Sequence, residues 1–316
     1  MKKSLTFSAI IALTVLCSCA SSQNTATQIY FDTAVTLTAD CSDEVLSGAF
    51  SLCEEYESTL SRTKENSEIS LLTSGKLKVS ADTLEVIEKG LDYSRASKSF
   101  DITIGALTEL WDFKDEVIPS RDEIAEALKN VDYQSVEIID GEVDTHGKII
   151  DLGGIAKGFV ADKLLAYFKE NGVKSGIINL GGNITVFDDR YYNVGIKKPF
   201  GENEIAATLR LKNKSVSTSG IYERCFEKDG VLYHHILDPA TGYPAETDLF
   251  CASVIGDTSA DCDALGTICV QFGCDKAISV INGTKGYEAV LIDKNYNLHL
   301  TDGLEEKDGI ITIKKR

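Results

Sequence analysis

Asp151-Leu152-Gly153-Gly154-Ile155-Ala156-Lys157-Gly158 is the stretch on which the reading of this chain turns. An apolar segment over residues 148–152 reads as a strand, passes through two glycines, and enters a helical pattern over residues 155–169 that Gly172 ends. Backbone N–H groups at such a junction favour anions, and glycine lets a ligand approach the main chain. Lys157, just inside the helix, adds a cation. The same glycine pair also serves in ordinary strand–helix turns, so the corner is a candidate anion site and no more at this point.

Outward from that corner, residues 29–39 alternate as a strand. Residues 43–60 place Val45, Ala49, Leu52, Tyr56 and Leu60 on one helical face, with Ser42 as N-cap. A second helix is predicted over residues 81–96, and Ser120 with Glu123 forms a capping box before a third. Residues 136–139 read as a short strand. Further strands are predicted over residues 176–180, 192–196, 206–211, 250–255 and 289–292, interrupted by a helix near residues 262–272. Strands and helices do not alternate regularly, and no repeat or linker divides residues 28–316. The expectation is one α+β unit, with mixed or antiparallel sheets and flanking helices, rather than a doubly wound sheet.

Residues 1–18 read as a signal peptide: Lys2 and Lys3 precede an apolar run over residues 5–16. That run falls short of the roughly 20 residues a spanning helix needs. Leu16-Cys17-Ser18-Cys19 resembles the lipobox of bacterial lipoproteins, which implies cleavage before Cys19, its acylation, and a polar tether over residues 19–27. The alternative is a plain secretory signal with incidental cysteines. Either way the mature chain is expected outside the cytoplasm, and under the lipobox reading it is held to the bacterial membrane by lipid alone. The net charge of −17, from 49 acidic and 32 basic residues, argues against nucleic acid and anionic lipid heads as partners. It also means that a phosphate-bearing ligand needs local cations. Of nine cysteines, Cys17 and Cys19 fall in the leader region. The odd remainder sits largely in apolar surroundings and is expected as buried free thiols.

Two further stretches carry chemistry. In Asp261-Cys262-Asp263-Ala264-Leu265-Gly266-Thr267, a helix puts Asp263 and Thr267 one turn apart on the same face. A carboxylate and a hydroxyl are hard oxygen ligands of the kind Mg²⁺ accepts beside substrate phosphates; an acid in a first helical turn also has a plain electrostatic use. In Tyr233-His234-His235-Ile236-Leu237-Asp238-Pro239, two of only four histidines are adjacent on a strand, so one alone enters any given site. A histidine there is a proton-transfer candidate or a hydrogen-bonded turn residue.

Together these stretches resemble the FAD:protein FMN transferase (ApbE) family of flavin transferase lipoproteins. The resemblance also rests on Ser67-Glu68-Ile69-Ser70, Ser99-Phe100-Asp101-Ile102-Thr103, Asp162, Asn179-Leu180-Gly181-Gly182-Asn183 and Ser217-Thr218-Ser219-Gly220, in one order. It implies an active site in a cleft between two subdomains. Asp263, Thr267 and the carbonyl of Gly154 would bind Mg²⁺. Phe31, Thr63, Ser99, Phe100, Asp101, Asp151, Lys157 and Ile236 would fall at FAD-contacting positions. His235 would activate the attacking hydroxyl, with Asp238 as its orienter, and Asp263 would be essential to catalysis. Phe31-Asp32 stands where the family has Met-Gly, and Thr63 where many members have tyrosine.

The implied reaction is Mg²⁺-dependent transfer of FMN from FAD to a threonine or serine hydroxyl of an acceptor, with release of AMP. Acceptors would carry a Ser/Thr-Gly-Ala-Thr/Ser type motif, on redox-complex subunits or FMN-binding domains. The chain's own Asp43-Glu44-Val45-Leu46-Ser47-Gly48-Ala49-Phe50 approaches that motif, but ends in Phe50 and reads as helix, so self-modification there is not expected. The competing readings are an Mg²⁺-dependent FAD pyrophosphatase giving FMN and AMP, and a non-catalytic flavin-binding lipoprotein.

Overall fold

A computed structural model describes residues 23–314, so the signal peptide and Cys19 lie outside the described residues. The chain opens with a hairpin, β1 (Asn24–Tyr30) and β2 (Thr33–Ala39), where the sequence predicted a single strand over residues 29–39. Cross-strand hydroxyl pairs, Thr25 with Thr38 at 3.0 Å and Thr27 with Thr36 at 2.9 Å, extend the ladder into residues that read as tether. The turn is Phe31-Asp32, with φ of 54° and 56°. Such turns normally carry asparagine or glycine, so this one had no local signal.

Helices α1 (Asp43–Leu60) and α2 (Glu68–Leu72) follow, then β3 (Leu77–Lys78), α3 (Ala81–Ala96), α4 (Gly105–Thr108) and α5 (Arg121–Leu128). The N-terminal signals act as read: Ser42 accepts from Val45 N, and Ser120 and Glu123 complete their reciprocal box. After β4 (Glu137–Ile139) and β5 (Glu142–Asp144), residues 148–152 do not form the expected strand. Two backbone bonds, Gly105 N to Ile149 O and Asp151 N to Ile102 O, tie this segment to the 102–105 loop without a ladder.

Then come α6 (Ala156–Glu170), β6 (Gly176–Leu180), β7 (Asn183–Phe187), β8 (Tyr192–Lys197), β9 (Ile205–Leu211) and β10 (Lys214–Gly220). The hairpin β11 (Cys225–Lys228) and β12 (Val231–His234) precedes β13 (Leu249–Gly256), α7 (Ser259–Phe272) and α8 (Cys274–Gly283). The described chain closes with β14 (Glu288–Asp293), β15 (Leu298–Leu300), β16 (Leu304–Lys307) and β17 (Ile310–Ile313).

An eight-stranded sheet in the order β1-β2-β6-β7-β10-β13-β14-β15 organises the molecule, and its neighbours pair antiparallel. Alternation along each strand divides the core between its two faces. Ile178, Ala252 and Leu291 point to the helices, with α1 and α6 covering one half and α7 and α8 the other. Ile177, Cys251 and Ile292 point the other way, onto Val194, Ile196, Leu209 and Ile311 of a four-stranded sheet ordered β16-β17-β9-β8. A smaller cluster of Leu107, Trp111, Ile124, Ala127 and Leu237 fastens α4 and α5 to the loop after β12. The α+β class with antiparallel and mixed sheets is as expected. Cys41, Cys53, Cys225, Cys251, Cys262, Cys269 and Cys274 are free thiols, and all but Cys41 and Cys225 are buried. No helix among the described residues is long and apolar enough to cross a membrane.

Candidate active site

The site forms where the N-termini of α6 and α7 meet on the helical side of the large sheet. Gly158 N donates to Asp263 Oδ2 at 3.0 Å. In the other direction, Ser259 N and Ala260 N donate to the two oxygens of Asp162 at 2.7 and 2.9 Å. Each helix thus supplies a carboxylate to the other's first turn, where N–H groups lack intrahelical partners. The approach requires glycine: a Cβ on Gly158 would stand 2.3 Å from Ser259 O. Ser217 on β10 donates to Asp263 Oδ1 at 3.0 Å, so Asp263, only 4% exposed, is held at both oxygens.

Thr267 lies one turn along α7, and Gly154 packs against it: a Cβ on Gly154 would sit 3.4 Å from Thr267 Oγ1 and 2.9 Å from the Phe100 ring. Thr267 Oγ1 has only long contacts, 3.4 Å to Asp263 O and 3.5 Å to Ser219 Oγ. Asp263, Thr267, Gly154 and Phe100 therefore converge, with Lys157 next to Gly158. This donor set suits Mg²⁺: one carboxylate with lone pairs left over, one weakly engaged hydroxyl, and one carbonyl on a residue with no side chain. Among the described residues no group of three or more His, Cys, Asp or Glu could cage a metal, so an ion here would rely on substrate phosphates and water for its remaining ligands.

The glycine corner itself differs from the open N–H cradle suggested by sequence. Gly153 N is taken by Asp151 Oδ1 at 2.8 Å, and Ile155 N and Ala156 N by Leu152 O. With Gly158 N on Asp263, phosphate attraction falls mainly to Lys157 and a metal. Asp151 also accepts from Thr108 Oγ1 at 2.8 Å and pairs with Arg62 Nε at 3.3 Å. Arg62, which also reaches Glu109 at 3.1 Å, is a cation at this corner that the sequence did not single out. Its neighbour Thr63 is exposed and bonds Ser61 Oγ at 3.2 Å.

The remaining candidates divide. Ser99 lines a cleft of about 1110 Å³ that also includes Asp238, Tyr243, Leu265 and Gln271. On α7 its wall is made mainly by Leu265, Ile268 and Phe272, a different face of the helix from the one that carries Asp263. Asp101 accepts from Thr103 N and Thr103 Oγ1 of its own loop and from the more distant Tyr133 N, and burial raises its pKa. Ile236 is buried, and its carbonyl accepts from Ala245 N at 2.9 Å. Phe31 sits in the hairpin turn, its N–H on Glu57 Oε1 at 2.6 Å; the following Thr33 abuts Gly181 of the β6–β7 turn.

Of the two histidines, His234 is structural: 3% exposed, its Nε2 lies 3.2 Å from Ala245 O. His235 faces the charges of the site. Burial, then the positive Arg224, His234 and Lys157, push its pKa down to about 3. Asp238 does not orient it. That carboxylate accepts from Ala240 N at 2.8 Å and shapes the turn, while His235 Nδ1 is buried without a partner.

Comparison with known proteins accords with this architecture. The ApbE family model matches residues 31–291. The chain belongs to the ApbE family. A FAD:protein FMN transferase of Treponema pallidum (strain Nichols) is 32% identical over 298 residues, covering 85% of this chain and 82% of its own. That of Klebsiella pneumoniae (strain 342) is 32% identical over 273 residues, covering 82% and 85%. Among solved structures, the ApbE protein of Thermotoga maritima superposes with a TM-score of 0.82 at 27% identity, over 89% of this chain and 97% of that one. The flavin transferase ApbE of Vibrio cholerae gives 0.79 at 21% identity, over 89% and 97%, which speaks to the fold.

Proposed function

We propose that this chain transfers the FMN half of FAD to a threonine or serine hydroxyl of an acceptor protein, with Mg²⁺, and releases AMP. The observation that carries the reading is the junction of Gly158 N with Asp263 and of Gly154 with Thr267, which puts hard oxygen ligands beside Lys157 in an otherwise acidic protein. The ApbE relatives named as FAD:protein FMN transferases support it.

Bound Mg²⁺ would polarise phosphate oxygens and offset charge that builds during transfer. The protein does the rest. Asp263, fixed by Ser217 and Gly158, presents a carboxylate that cannot swing away. Lys157 supplies positive charge at the start of α6. Phe100 and Gly154 shape the wall beside Thr267. We also propose that the chain is extracytoplasmic and anchored through Cys19, on the strength of the basic, apolar and lipobox-like leader.

The test is incubation with Mg²⁺ and FAD, with and without a threonine-bearing acceptor domain. The expected result is AMP release that depends on the acceptor, and an acceptor that becomes covalently yellow. Rapid AMP release without acceptor replaces the reading with a pyrophosphatase; bound FAD that stays intact replaces it with a flavin carrier.

A further inference from the structure

We propose that Asn183 is a further substrate-binding residue, whose side-chain amide donates a hydrogen bond to a phosphate oxygen of FAD. This role rests on the transfer reading above, which supplies the ligand. Asn183 opens β7 directly after the Gly181-Gly182 turn and is 1% exposed. Its Nδ2 is buried and has no hydrogen-bond partner among the described residues. A buried donor left unpaired gives up its hydration and gains nothing in return, so this amide is set for a partner that arrives from outside the chain.

The register of the sheet fixes where the amide lies. Asn183 stands opposite Ser217 of β10, and side chains directly opposite in an antiparallel pair share a face, with Cβ atoms about 4.5–5.5 Å apart. On that face Ser217 Oγ reaches Asp263 Oδ1 at 3.0 Å. On the other side Asn183 pairs with Leu180 of β6, which lies in the core under the helices. Two residues along, Thr185 and Ser215 share a hydrogen bond at 2.8 Å; Asn183 Nδ2 makes no such bond to Ser217, which is turned to Asp263. At the far end of β7, Phe187 stacks on Phe168 of α6, with ring centroids 5.8 Å apart. Four strand residues cover about 13 Å, a length a helix spans in about nine residues. Counting back from Phe168 puts Asn183 beneath the first turn of α6, where Gly158 meets Asp263 and Lys157 stands.

A phosphate at this crossing has few other donors. Gly153 N is taken by Asp151, Ile155 N and Ala156 N by Leu152 O, and Gly158 N by Asp263. Lys157 is one positive charge in a chain of net charge −17. The other buried side-chain atoms without a partner among the described residues are Ser259 Oγ and the Nδ1 atoms of His234 and His235. A hydroxyl can donate or accept, and an imidazole nitrogen does one or the other with its tautomer; of the four, the amide nitrogen alone can only donate. An anionic oxygen is the partner that suits it.

The experiment measures FAD affinity and thermal unfolding of the full mature chain, N183A and N183D, each with Mg²⁺ and without acceptor. N183A should bind FAD at least about 10-fold more weakly, as expected for losing a hydrogen bond to a charged group. Its melting temperature without FAD should stay near the parent's, because the deleted amide nitrogen had no partner to lose, while the rise on adding FAD should shrink. N183D keeps the shape but puts an oxygen where the donor was, and should bind FAD no better than N183A. Parent-like FAD affinity in either variant overturns the assignment. Failure of both variants to fold also overturns it, since Asn183 would then serve the fold. A parent that binds FAD yet transfers no FMN removes the transfer reading and leaves the affinity comparison to decide Asn183; a parent that binds no FAD overturns both.

Discussion

Gly158 and Asp263 are joined by a 3.0 Å hydrogen bond that links the first turn of one helix to a carboxylate in the first turns of the next. With Asp162 capping Ser259 and Ala260 in return, α6 and α7 form a reciprocal clamp, and the candidate metal ligand is part of it. Fold and chemistry are therefore coupled at a single crossing.

Gly158→Ala tests that coupling. A Cβ there would stand 2.3 Å from Ser259 O and 2.7 Å from Ala260 Cα, both backbone atoms, so the helices must separate. Overpacking of this kind costs about 1–3 kcal/mol. Thermal unfolding should show the loss, and AMP release should fall further than the stability change explains, since Asp263 loses its donor. Parent-like activity in a destabilised variant would separate the clamp from catalysis.

Asp263→Asn isolates charge from shape. The amide oxygen can still accept from either Gly158 N or Ser217 Oγ, so the fold should survive by circular dichroism. FAD cleavage and FMN transfer should both fall to background, because a neutral oxygen is a poor Mg²⁺ ligand. Near-normal turnover at ordinary Mg²⁺ would remove Asp263 from the metal site.

How much of this was legible beforehand follows from where each signal lies. Ser42 and Ser120 mark helix starts within a few residues, and α1 and α3 fall at their predicted bounds. The spacing of Asp263 and Thr267 is likewise local. Ser217 reaches Asp263 across 46 residues, and Arg62 reaches Asp151 from another part of the fold. Such meetings depend on sheet order, which no local pattern encodes. The strand expected over residues 148–152 failed for the same reason: an apolar run becomes a strand only when a partner edge is available, and here the 102–105 loop takes its place.

His234 sets an acid limit on stability. Burial lowers its pKa from 6.5 to about 4. The unfolded chain therefore binds a proton in that window that the folded chain refuses, so the contribution of His234 is complete above pH 6.5 and is lost as pH falls toward 4. His234→Gln keeps an N–H donor for Ala245 O but does not titrate. Melting temperatures measured from pH 7 to pH 4 should fall more steeply for the parent than for this variant; parallel curves would refute the assignment.

The last prediction concerns the turn between β1 and β2. Asp32 has φ of 56°, a left-handed conformation that costs a non-glycine residue roughly 1 kcal/mol. Its compensating contact is an ion pair with Arg224 at 3.7 Å, between side chains 88% and 61% exposed. Exposed pairs of that kind contribute little, and a distance of 3.7 Å adds no good hydrogen bond. Asp32→Gly should therefore raise the melting temperature by a few degrees, the relief of strain exceeding the lost pair. The same change frees Arg224, whose carbonyl accepts from His235 N at 3.1 Å. If the ion pair holds Arg224 where the acceptor approaches, the stabilised variant should bind FAD as the parent does yet transfer FMN more slowly. A variant that gains stability with no change in transfer would confine Asp32 to the turn.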